Sequence, residues 1–169
     1  MQPFINSTYS QQNTMQQSSD AIKIRYCALA IGMFFLLIGL AGFVPSLVSI
    51  APEHSLVFSY GYLFRLFPTN YLHNAIHILV GIWGIAAYTS LGGAIIFNRI
   101  FAILYVGIGV LGLIPHANTL FGIMPIYGNN VWLNLLTAGI AYNYGFLKAA
   151  PFSGFLTKTN SPTAIANSL

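Results

Sequence analysis

The chain has 169 residues, 56% of them hydrophobic and only 5% charged, with a formal net charge of +4 resting on six basic residues. A soluble domain carries about a quarter charged residues, so this composition excludes an ordinary water-soluble domain and places the chain in the membrane class. The basic residues are too sparse for a nucleic-acid-binding face, and no nucleic-acid partner is expected.

Asp20 and Glu53 are the only acids. Carboxylates carry protons in pumps, act as general bases and bind hard metals. A proton-coupled transporter, a carboxylate-bridged di-iron oxidase and a carboxylate-based hydrolase are therefore disfavoured. Cys27 is alone, so no intrachain disulfide can form, and it reads as a small apolar residue at a helix start.

Residues 1–22 are rich in Gln, Ser, Asn and Thr and lack apolar periodicity, so they read as a disordered tail. The first 20 contain no basic residue and do not resemble a cleaved signal peptide. A four-span domain is expected over 23–148. Its first span is read at 26–48, long enough for a hydrocarbon core about 30 Å thick. The second runs from about Tyr71 to Tyr88, the third from about Arg99 to Ile114 and the fourth from about Asn130 to Leu147. Residues 149–169 read as a flexible tail.

With four spans, both tails and the 89–99 loop share one side. Lys23, Arg25, Arg99, Lys148 and Lys158 fall there, against Arg65 on the other. Basic residues concentrate on the cytoplasmic side, so both tails are placed in the cytoplasm. Between the first two spans, Phe58, Tyr60, Tyr62 and Phe64 occupy alternate positions. Aromatic rings favour the headgroup zone, and this segment is expected to lie along the outer interface.

The sequence also repeats itself. "GLAGFVP" at 39–45 matches "GVLGLIP" at 109–115, and "LFRLFP" at 63–68 matches "LFGIMP" at 120–125. The expected fold is thus an all-α integral membrane four-helix bundle made of two tandem helix–interfacial loop–helix repeats, about 26–88 and 99–147, in parallel orientation. Gly39, Gly42, Gly109 and Gly112 are candidate helix-packing positions, either within the bundle or between subunits. Pro45 and Pro115 are expected to end or kink their helices.

The candidate site is "FPTNYLHNAIHILVG", residues 67–81. Thr69 or Asn70 can cap the second span. His73, His77, Gly81, Gly84 and Tyr88 share one helix face, and the repeat assigns Asn130 and Asn134 to the matching face of the fourth span. Asn70, Asn74, Asn130 and Asn134 then form a polar cluster with the histidines near the outer boundary. A His77–Asn134 hydrogen bond would clamp the two halves.

The pattern Pro68-x-Asn70-x-x-x-Asn74-x-x-His77-x-x-x-Gly81, with the repeated G-x-x-G-x-x-P segments, resembles a bacterial family of small four-helix membrane proteins classed as a domain of unknown function. The resemblance covers about residues 24–147 and implies a four-span bacterial membrane protein without assigning it an activity. In that family's pattern the second copy often carries a histidine where this chain has Asn134.

Two functional readings follow. The first is a non-enzymatic structural or accessory subunit of a membrane assembly, or a homo-oligomer, in the bacterial inner or thylakoid membrane. The alternative is a small protein binding haem, chlorophyll or a metal through His73 or His77, with His77 the first-choice axial ligand. His54 and His116 are the only other histidines, and no metal site is assigned. No catalytic residue is assigned.

Overall fold

The computed structural model describes residues 2–50 and 60–152, with side chains described from residue 11. The chain is mostly helical: α1 spans Gln2–Ala41, α2 Tyr71–Ala87, α3 Leu91–Leu111 and α4 Asn129–Tyr142, the last continuing through a π-helical turn at Asn143–Leu147. Gln11–Ala41 and Leu91–Leu111 are long and apolar enough to cross a membrane, and Tyr71–Ala87 is a shorter apolar helix.

A small sheet lies between α1 and α2, so the chain is not all-α. β1 (Val48–Ile50), β2 (Gly61–Leu63) and β3 (Phe67–Thr69) form an antiparallel sheet in that order. Val48 faces Leu63 across β1–β2, and Tyr62 faces Pro68 across β2–β3. Pro68 is tolerated because β3 is an edge strand with a free hydrogen-bonding side.

Three boundaries differ from the sequence reading. The first apolar run is helical to Ala41, not residue 48, and α3 likewise ends at Leu111. Each helix stops four residues before its proline, Pro45 or Pro115, whose ring would strike the carbonyl one turn back. α3 begins at Leu91 rather than Arg99, so the expected 89–99 loop shrinks to residues 88–90. Ser90 caps α3 by accepting a 3.0 Å hydrogen bond from Gly93 N, which offsets the weak helix preference of Gly92 and Gly93.

The segment 1–22, read as disordered, is helical from Gln2. It contains no glycine, and no proline after Pro3. A helix already nucleated by an apolar span propagates cheaply through such residues. Asp20 anchors it by pairing with Lys23 at 3.9 Å and with Lys148 at 3.7 Å, beyond the end of α4. Phe58, His54, Glu53, Lys158 and most of the tail expected over 149–169 lie outside the described residues.

α1 packs mainly on α2, and α3 on α4. A Cβ on Gly39 would meet Asn74 O at 2.8 Å and Ile78 N at 2.9 Å, and one on Gly109 would meet Leu135 Cδ2 at 2.7 Å. Gly42 lies against the Asn74 amide and Gly112 against the Ile126 carbonyl. All four candidate packing glycines therefore face a neighbouring helix or turn of the same chain. Phe35, Phe97, Phe101 and Tyr105 fill the centre, with Phe35 edge-on to Phe101 at 5.3 Å.

The β2–β3 turn places Phe64 at φ 53° and Arg65 at φ 60°. Left-handed backbone costs an L-residue roughly 1–2 kcal/mol, and glycine avoids that cost. Arg65→Gly should therefore stabilise the protein by about 1 kcal/mol, read as a higher midpoint in detergent unfolding. An unchanged or lower midpoint would show that Arg65 makes a compensating contact.

Candidate functional site

The polar cluster forms where the two longer connections meet the start of α2. Asn70 is the α2 N-cap, with extended backbone at φ −147°. Its Oδ1 accepts from His73 N at 2.8 Å, and its Nδ2 donates to Ile123 O at 2.8 Å. One asparagine thus caps a helix and ties it to the second connection.

Asn74 sits one turn further on. Its Nδ2 donates to Gly42 O at 2.8 Å, and its Oδ1 accepts from the Thr69 hydroxyl at 2.5 Å. Gly42 is required here because a Cβ would occupy the space of the Asn74 amide. Asn130, at the start of α4, donates from Nδ2 to Pro68 O at 2.7 Å and to Pro125 O at 3.1 Å. Asn129 Nδ2 donates to Leu66 O at 3.1 Å. Side chains of each half therefore hold backbone carbonyls of the other.

His73 and His77 are 4% and 7% exposed, and their Nε2 atoms lie 3.0 Å apart. That contact needs one ring to donate N–H and the other to accept on a bare nitrogen. His77 also meets Phe35 edge-on at 4.9 Å. His73 Nδ1 is buried without a hydrogen-bond partner among the described residues. Asn134 is buried on α4, and its carbonyl accepts from the Thr137 hydroxyl at 3.2 Å. Among the described residues no hydrogen bond joins Asn134 to His77. The expected His77–Asn134 clamp is replaced by a bond between the two histidines, because i and i+4 rings on one face meet directly.

Several contributors are less visible in the sequence. Tyr60 and Tyr127, from the two connections, pair through their hydroxyls. Burial raises both phenols above the ordinary tyrosine value, and the partner hydroxyl raises Tyr60 further. Thr69 completes the Asn74 contact. At the other end of the bundle Asn98, buried in α3, donates to Ile24 O at 3.1 Å. There too, Arg25 Nε donates to Tyr88 O and Arg99 Nε to Gly145 O, each at 2.7 Å. A cation beside the last carbonyls of α2 and of α4 complements the negative end of each helix dipole.

A cavity of about 20 Å³ adjoins His73, His77, Thr69, Asn74, Asn130 and Leu133. That is room for about one water, whereas pockets for organic cofactors run to hundreds of Å³. Among the described residues, the Nε2 atoms of His73 and His77 face one another and the cavity directly beside the rings has no room for a haem or chlorophyll macrocycle. Among the described residues no three or more His, Cys, Asp or Glu side chains are grouped for a metal ion. His116 is exposed, and Cys27 is buried toward the far end of α1. Asp20, the only acid among the described residues, lies about 33 Å along α1 from Gly42. Among the described residues no nucleophile–base–acid set is assembled at the cluster.

The family described as a domain of unknown function, DUF4383, matches residues 25–147. No curated protein and no solved structure matches the chain.

Proposed function

We propose that this chain, which belongs to the DUF4383 family over residues 25–147, is a four-span membrane protein with a non-enzymatic structural or accessory role in a membrane assembly. The observation that carries this reading is the polar cluster itself. Asn70, Asn74 and Asn130 spend their amide N–H groups on backbone carbonyls, and the histidines bond each other. The cavity beside the histidines holds about one water, and polar groups engaged in this way fix geometry rather than perform chemistry; a larger cavity of about 350 Å³ adjoins Thr69, Asn70 and Asn74 but not the rings.

In this reading α1 to α4 are the four spans, of which α2 and α4 complete their crossing with flanking residues. The two pairs are tandem repeats in parallel orientation. The repeat is supported by equivalent contacts, counted 70 residues apart on the first helix and 57 on the second. Gly39 meets Asn74 O and Ile78, while Gly109 meets Val131 O and Leu135. The turns agree as well: Phe64 and Arg65 are left-handed, and so are Phe121 and Gly122. The carbonyls of Leu66 and Ile123, 57 apart, each accept an asparagine amide from the opposite half.

The domain division follows: 23–148 is the membrane domain, and the segments on either side are cytoplasmic. Lys23, Arg25, Arg99 and Lys148 then gather at the inner end, and Arg65 lies at the outer end.

Solubilising native membranes in mild detergent tests the role. The account expects a colourless protein that migrates in a native gel with an assembly larger than the 18.4 kDa chain. A chain migrating alone, with a stoichiometric Soret band or about one metal per chain, would overturn it. In the same preparation His77→Gln should keep its melting point within a few degrees, since an amide can still bond His73. Loss of folding in that variant would show that the imidazole does more than hydrogen-bond.

A further inference from the structure

A second feature lies along the α1–α4 seam and shares Phe34 and Leu133 with the small cavity beside the histidines. α1 and α4 touch little, and between them runs a groove of about 510 Å³. Lys23, Cys27 and Phe34 line one wall, and Tyr144, Ile140 and Leu133 the other. On each helix these positions recur at one-turn spacing. The two walls run antiparallel, so Lys23 and Tyr144 share one end.

The repeat explains why the groove exists. The equivalent seam, between α2 and α3, is closed by Trp83 edge-on to Phe97 at 4.9 Å. Counting 70 residues back from Phe97 reaches Cys27, and counting 57 on from Trp83 reaches Ile140. Two large rings on one seam are thus a thiol and an aliphatic side chain on the other. The groove is the volume those rings would have filled.

We propose that this groove holds one acyl chain of an anionic phospholipid from the cytoplasmic leaflet, its phosphate at Lys23. The inference rests on the membrane reading above. Three observations select this occupant. From Lys23 to Phe34 the groove runs about 16 Å, and half of a hydrocarbon core of about 30 Å is one leaflet deep. Its lining is almost wholly apolar below the mouth. At the mouth Lys23 and Lys148 flank a single acid, Asp20, leaving excess positive charge, and Tyr26 and Tyr144 supply rings suited to headgroup depth.

The test uses the full chain, delipidated in detergent and offered phosphatidylglycerol or phosphatidylcholine, with bound lipid counted by native mass spectrometry. The wild type should retain about one phosphatidylglycerol per chain and hold phosphatidylcholine at least five-fold more weakly. Lys23→Ala should weaken phosphatidylglycerol retention on the order of five-fold. Cys27→Phe should abolish retention while keeping wild-type helix content, because it rebuilds the closed seam. Ile140→Trp serves the same purpose if Cys27→Phe fails to fold.

Equal retention of both lipids by the wild type overturns the proposal. So does full retention in a folded groove-filling variant, or no effect of Lys23→Ala. Alkaline extraction of the same membranes separates the two levels. A chain released by alkali sinks the membrane reading, whereas an integral chain that retains no phosphatidylglycerol sinks the groove alone.

Discussion

Gly81→Val should unfold the protein or bring it close to unfolding. A Cβ on Gly81 would stand 2.5 Å from Leu36 N and 2.7 Å from Leu36 Cα. These are backbone atoms of α1, so no side chain can turn aside to make room. The same crossing holds Gly32, whose Cβ would stand 2.7 Å from Ile85 N, and Gly84, whose Cβ would stand 2.7 Å from Gly32 Cα. α1 and α2 must therefore separate along the whole contact, undoing the close packing of their backbones. The expected loss is about 3 kcal/mol or more. Gly107→Ala is the control. Nothing lies within 4 Å of the Cβ it adds, so it should be neutral or stabilise by up to about 1 kcal/mol. Unfolding midpoints of the two variants decide the matter, and comparable midpoints would contradict the close crossing.

Asn74→Leu should have the second largest effect. It is nearly isosteric, so the loss it causes is polar. It strips the Gly42 carbonyl of its donor and the Thr69 hydroxyl of its acceptor, both within the cluster. Each buried group left unpaired costs about 1–3 kcal/mol, and the expected total is about 3 kcal/mol. Thr69→Val with Asn74→Leu should recover part of that loss, because it removes one of the two orphans. A double variant no more stable than Asn74→Leu alone would show that Thr69 does not depend on Asn74. Neither change alters the histidine pair, so the two parts of the cluster can be weighed separately.

Much of this arrangement was legible because its causes are local. A proline sets where a helix must stop, and Pro45, Pro68 and Pro115 mark their boundaries in the sequence. After Pro68 either Thr69 or Asn70 reads as a cap, because a side-chain oxygen there reaches the free N–H groups of the first turn, and Asn70 takes the position. The i, i+4 spacing of His73 and His77 reads as one face. Its consequence is a direct contact, because rings on one face reach each other before they reach α4.

The sheet was only faintly present in the sequence: of the alternating aromatics Tyr60, Tyr62 and Phe64, Tyr62 alone lies in β2, and Phe64 begins the turn into β3. In an apolar chain the same alternation reads as an interfacial belt, and only the pairing of β1 with β2 decides between them. α3 begins eight residues before the start expected when Gly92, Gly93, Asn98 and Arg99 are read as a loop. Asn98 Nδ2 donates to Ile24 O and Arg99 Nε to Gly145 O, partners 74 and 46 residues away, which local propensity cannot register. The helical 1–22 segment was hidden for a related reason. Its polar composition resists helix formation in isolation, but not as the continuation of an existing span.

The central claim is that α1 to α4 are four membrane spans with the polar cluster at the outer end. Labelling single-cysteine variants with a membrane-impermeant thiol reagent tests it most directly, in intact cells on a Cys27→Ala background. Cys27 is the only native cysteine, so that background is silent. Phe121→Cys, at an 80% exposed position beside the cluster, should label. Gln12→Cys in the N-terminal part of α1 and Thr89→Cys in the α2–α3 turn should label only after the membrane is permeabilised. Labelling of Gln12→Cys or Thr89→Cys in intact cells alongside Phe121→Cys would put both ends of the helices on one side and contradict the four-span account.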